Sequence, residues 1–83
     1  MSEAELLASL KEEYLDARLL PDGSIACLED LFTTRAIVVG CDRWGWARRF
    51  CFSDRALASQ RFAELRSEDD VPEGFTARRP KDG

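Results

Sequence analysis

Near the start of the chain, apolar residues recur at helical spacing. Leu7, Leu10, Tyr14 and Ala17 share one face, with Leu6 beside them, while Glu5, Glu12 and Asp16 take the far side. This pattern predicts a helix over about residues 3–18. Ser2, followed by Glu5 three positions later, has the spacing of a capping box at its start. Pro21-Asp22-Gly23 then ends the element with turn-forming residues.

The period changes after the turn. Residues 24–28 read as a short strand, and Glu29-Asp30 as a break. Residues 32–41 are rich in Thr, Ile and Val, the residue types that suit a pleated surface. Both faces of this segment are largely apolar, which predicts a central strand. Asp42-Arg43-Trp44-Gly45 reads as a hairpin loop. Residues 46–52 return as a strand, with Trp46, Arg48, Phe50 and Phe52 on one side and Ala47, Arg49 and Cys51 on the other.

Ser53-Asp54 caps a second helix over about residues 54–67, with Ala58, Phe62 and Leu65 as its buried stripe. Ser67-Glu68-Asp69-Asp70 closes it. Val71-Pro72-Glu73-Gly74-Phe75 follows as a short extended piece that tucks Phe75 under the sheet. The expected fold class is α+β: a helix, a three-stranded antiparallel meander and a helix, in two layers with both helices on one face. Residues 1–77 would form one compact domain, and residues 78–83 a flexible tail.

The length of 83 residues agrees with a single domain and a thin core. The longest apolar run is Ala36-Ile37-Val38-Val39, too short to cross a membrane, and the N-terminus is acidic where a signal peptide would be basic. These features predict a cytoplasmic protein.

Charge adds an asymmetry. Residues 1–42 carry nine acids against three bases, residues 43–66 two acids against six arginines, and residues 67–83 five acids against three bases. Two candidate contact surfaces follow. One is acidic and built from Glu5, Glu12, Glu13 and Asp16 with Glu29 and Asp30; it would dock onto a basic groove by charge complementarity. The other is the hairpin tip, Arg43-Trp44, because Trp and Arg are the types most enriched at binding hot spots. Arg35, Arg48 and Arg49 lie on the same hairpin and suggest an alternative, a small nucleic-acid-binding regulator. The negative net charge of −4 and the lack of an RNA- or DNA-binding signature weigh against direct nucleic-acid contact. A homodimeric accessory protein joined through an edge strand is a further alternative.

Candidate chemistry narrows the picture by what is missing. The chain has no histidine, which removes the commonest general base and any Ser-His or Cys-His nucleophile. Neither a glycine-rich dinucleotide loop nor a phosphate-binding loop occurs. Cys27, Cys41 and Cys51 are widely spaced, and none lies in a Cys-x-x-Cys pair. The expectation is a non-enzymatic protein with no metal and no cofactor, its cysteines reduced and buried as small hydrophobes.

The central hairpin carries a resemblance. The stretch Thr34-Arg35-Ala36-Ile37-Val38-Val39-Gly40-Cys41-Asp42, followed by Gly45-Trp46-Ala47-Arg48-Arg49-Phe50-Cys51-Phe52 and later by Pro72-Glu73-Gly74-Phe75, resembles small proteins borne by phages, prophages and mobile elements. The likeness covers about residues 24–79. Members of that group carry a Trp-Asp-Gly step where this chain has Ser67-Glu68-Asp69-Asp70. The resemblance implies no reaction. It implies a phage accessory setting, in which small acidic proteins inhibit host defence, and so an anti-CRISPR protein. The expected partner is a protein, a Cas protein or effector complex, whose DNA- or RNA-binding surface would be blocked.

Overall fold

The computed structural model describes residues 2–42 and 44–80. Helix α1 spans Glu3–Glu13, strand β1 Asp16–Leu19, β2 Ile25–Asp30, β3 Arg35–Val39, β4 Arg48–Phe52, helix α2 Arg55–Glu64 and strand β5 Ala77–Pro80. The chain is α+β, as expected. Its helices flank four consecutive strands rather than three, and a fifth strand follows α2. All five form one antiparallel sheet in sequence order.

The extra strand at the front comes out of the expected first helix. The predicted cap holds: the Ser2 hydroxyl accepts the Glu5 N–H. The helix stops at Glu13, however, and Tyr14 is already extended. Leu15 N–H then bonds the Leu28 carbonyl at 2.8 Å, and residues 16–19 pair with β2. Helical and extended readings both place Ala17 with Leu10 in the core, so periodicity could not separate them. The tertiary demand does. β2 is buried at four successive positions, Ile25 to Leu28, and needs a strand on each side.

The same double burial corrects the layer count. On one face, Ala26, Leu28, Ile37, Val39, Phe50 and Phe52 pack with Ala58, Phe62 and Leu65 of α2 and its C-cap. On the other, Ile25, Cys27 and Val38 pack with Ala17, Cys41 and Leu10 of α1. The helices lie on opposite faces, so the domain has three layers instead of two. A sheet whose middle strands are apolar on both sides must be covered on both sides. β3 has that property, and its central position agrees with its sequence.

Smaller departures cluster where strands begin and end. Glu29 and Asp30 continue β2 rather than break it. β3 starts at Arg35, leaving Phe32 in the preceding turn, where it is fully exposed. β4 starts at Arg48, and a bend at Ala47 resets the alternation. Trp46 consequently packs on the α1 side, opposite Phe50 and Phe52. α2 ends at Glu64, earlier than expected, with Leu65 as its C-cap and the Asp54 side chain accepting the Leu57 N–H at its start.

After α2 the chain recrosses the sheet. Phe75 meets the edge of Phe50, with ring centroids 5.2 Å apart. Residues 77–80 then pair with β4, so the expected tail beginning at residue 78 is in part an edge strand. Residues 81–83 lie outside the described residues. Among the described residues, no helix is long and apolar enough to cross a membrane.

Candidate partner-binding surface

Helix α1 presents its polar side outward. Leu6, Leu7, Leu10 and Tyr14 turn toward the sheet, while Glu3, Glu5, Glu12 and Glu13 are exposed. Glu5 takes part in the N-terminal cap, accepting from the Ser2 hydroxyl at 3.1 Å. Neither Glu12 nor Glu13 forms an ion pair with a described residue. Lys11 is the one basic residue of this helix, in its last turn.

The other members of the expected acidic set do not join this face as a single patch. Asp16 is on β1 rather than on the helix, and its carboxylate accepts the Ala17 N–H at 2.8 Å. The anticipated Glu12/Asp16 helical pair is therefore absent. Glu29 is half-buried on β2, 3.6 Å from Arg49. Asp30 receives Arg35 at 3.3 Å and Arg55 at 2.7 Å. The hydrogen bond from Arg55, ahead of that from Arg35, holds its carboxyl below the usual range. The expected acidic patch thus divides into an unpaired helical part and a neutralised part at the β2–β3 end.

The arginines show the complementary behaviour. Arg35 also donates to the Ser59 hydroxyl at 2.7 Å, joining β3 to α2. Arg48 reaches the Glu68 carbonyl and lies 3.7 Å from Asp69. Arg49 lies over the Trp46 ring, 5.4 Å from its centroid. Its Nε is buried without a hydrogen-bond acceptor among the described residues, so the ring face substitutes in part for a missing partner. Arg61 pairs with Glu64 at 2.8 Å. The hairpin arginines suggested for nucleic-acid contact are thereby engaged inside the molecule.

Arg43 lies outside the described residues. Trp44 is at the β3–β4 turn and 74% exposed. The turn is organised by Asp42, whose carboxylate accepts the N–H groups of Trp44 at 2.8 Å and Gly45 at 3.0 Å. Asp42 and Gly45 also exchange backbone hydrogen bonds, closing the loop. A short side-chain carboxylate two residues before an N–H makes an Asx turn, and it fixes the backbone at Trp44.

The sequence reading missed a feature next to this turn. An open cleft of about 400 Å³ is lined by Glu3, Leu6, Ile25, Cys41, Asp42 and Glu68, among others. It lies between the start of α1, the β1–β2 turn and the base of the β3–β4 hairpin. Asp22, in that first turn, accepts from the Ser24 hydroxyl at 2.6 Å and from the Glu68 N–H at 2.9 Å. These bonds, led by the one from Ser24, hold its carboxyl far below the usual range. In the sequence, Asp22, Asp42 and Glu68 were visible only as turn and loop acids, 20 and more positions apart. Their gathering at one end depends on the strand order.

Two groups beneath the surface titrate abnormally. Burial first, then the nearby Cys41 and Cys27 sulfurs, pushes the Tyr14 phenol up to about 12. The Cys27 thiol is raised by its interaction with Cys41 and then by burial.

Comparison with known protein families, with curated proteins and with solved structures finds no match.

Proposed function

We propose that this protein is a non-enzymatic inhibitor that binds a host nucleic-acid-handling complex, with a CRISPR effector as the leading candidate, and blocks its DNA- or RNA-binding surface. The observation that carries the proposal is the unequal use of charge. The described hairpin arginines are held by acids, a carbonyl or an aromatic ring inside the domain, while the carboxylates of α1 face solvent unpaired. A surface left negative in this way complements the basic groove that such a complex offers to phosphates. The acidic cleft carries the negative surface on toward Trp44, a side chain of the type that anchors interfaces.

The test is plasmid interference in cells carrying a defined CRISPR system, with and without this protein. The wild type should restore transformation by the targeted plasmid. Glu12→Lys combined with Glu13→Lys should abolish that rescue. Both positions are in the last turn of α1, where positive charge suits the helix dipole, so the reversal leaves the fold intact. Rescue that persists in the double variant would exclude α1 as the contact. Absence of rescue by the wild type across CRISPR types would exclude the target class.

A further inference from the structure

Cys27 sits in the middle of β2, opposite Val38 of β3. Beyond Val39 the chain does not simply leave the sheet. Gly40 adopts a φ of +69°, and the Cys41 N–H returns to bond the Ile25 carbonyl at 3.1 Å. This irregular step turns Cys41 to the α1 side of the sheet, into the same cluster as Cys27, Ile25 and Val38. Cys51 pairs in register with Ala36 and lies outside that cluster.

The two clustered thiols differ in access. Cys27 is fully buried. Cys41 is 6% exposed and lines the cleft beside Asp42. We propose that Cys27 and Cys41 form an oxidisable dithiol, in which Cys41 meets a hydroperoxide entering through the cleft and Cys27 closes the disulfide. The Cys27 thiol interacts directly with Cys41, and that contact, followed by burial, raises it.

The reaction has two steps. Cys41 loses its proton to cleft water, and its sulfur attacks one peroxide oxygen. The O–O bond breaks, giving a sulfenic acid on Cys41, and the departing oxygen takes a proton to leave as an alcohol or water. The Cys27 sulfur then attacks the Cys41 sulfur and the S–O bond breaks. The hydroxide released combines with the Cys27 proton as water. The two thiols give up two electrons, which the peroxide accepts. The resulting bond would tie β2 to the residue immediately before Asp42, and so to the base of the Trp44 turn.

The experiment uses the full chain carrying Cys51→Ser, reduced, folded and then exposed to hydrogen peroxide. Intact mass should fall by two hydrogens, and peptide mapping should find Cys27 joined to Cys41. With Cys27→Ala added, Cys41 should accumulate as a sulfenic acid that dimedone captures. With Cys41→Ala added instead, Cys27 should remain reduced. A folded Cys51→Ser protein that keeps both thiols, or gains oxygen without a cross-link, would overturn the proposal. Dimedone capture at Cys27 in the absence of Cys41 would overturn the assigned order. If Cys27→Ala, at a fully buried site, fails to fold, the Cys51→Ser measurement decides by itself.

Discussion

The Arg18 guanidinium on β1 donates through Nη1 to the Leu65 carbonyl at the end of α2, at 2.8 Å. The same nitrogen lies 2.8 Å from the Phe62 carbonyl, and the group sits over the Phe62 ring at 5.9 Å. Helix C-termini leave carbonyls without partners and carry partial negative charge. One side chain from an edge strand answers both. Arg18→Met keeps much of the apolar stem and removes the donors. We expect a loss of about 2 kcal/mol in chemical denaturation, in line with hydrogen bonds to charged groups. Arg18→Lys should recover only part of that, because an ammonium does not reproduce the planar fork. Equal stability of the Met variant and the wild type would refute this account of the α2 end.

Gly40 and Gly23 offer a matched pair for separating backbone strain from crowding. Both have positive φ, +69° and +91°. A Cβ on Gly23 meets nothing within 4 Å, whereas one on Gly40 would lie 2.8 Å from the Ala47 Cβ and 2.9 Å from the Glu68 carboxylate. Gly23→Ala should cost about 1 kcal/mol, the backbone penalty alone. Gly40→Ala should cost distinctly more, measured as a larger drop in denaturation midpoint. Equal effects would mean that the β3–β4 junction yields freely.

Asp22 links acid sensitivity to the closure of the cleft end. Its carboxylate has a lower pKa in the fold than in the unfolded chain, because Ser24 and the Glu68 N–H bond its charged form. That contribution is complete above the unfolded value near 4 and is lost as pH falls through the folded value. Asp22→Asn should therefore lower Tm at pH 7, and the gap to wild type should narrow as the pH is taken below about 4. A gap that stays constant down to pH 2 would show that the carboxylate charge is not what matters there.

Trp44→Ala distinguishes a contact residue from a packing residue. The indole is 74% exposed and its turn is held by Asp42, so the substitution should change stability by no more than about 0.5 kcal/mol. If Trp44 anchors the partner, the same variant should lose plasmid rescue in the interference assay. A large stability loss would instead assign the indole to the fold.

Much of the architecture was legible in the chain. Ser2 and Asp54 cap helices as their residue types predict, because a short oxygen-bearing side chain satisfies an N–H that the helix itself cannot. Ala58, Phe62 and Leu65 face the core at the spacing of one helical stripe. Residues 35–39 lie in the centre of the sheet because both of their faces are apolar. The Phe75 contact with the sheet was likewise expected. At the candidate surface, the exposed acids of α1 and the position of Trp44 were legible as well.

Other features were not, for identifiable reasons. Leu10, Tyr14 and Ala17 satisfy a helical period and also a helix followed by a strand, so the segment at 16–19 was settled only when β2 required a neighbour. Trp46 changed faces because alternation holds only within a strand, and the bend at Ala47 lies just outside β4. Glu29 and Asp30 looked like members of an acidic patch, but strand pairing brings Arg49, Arg35 and Arg55 within reach.

The class of the fold, the two helix starts, the central strand and the excess of negative charge can all be read from the residues alone. These follow from local rules of capping, periodicity and residue type, which act over a few neighbouring positions. Long-range pairing, by contrast, put the helices on opposite faces and settled which charges cancel. It also placed Cys27 and Cys41 in one cluster. These depend on strand order and on one irregular step at Gly40, which bring together residues that no local pattern connects.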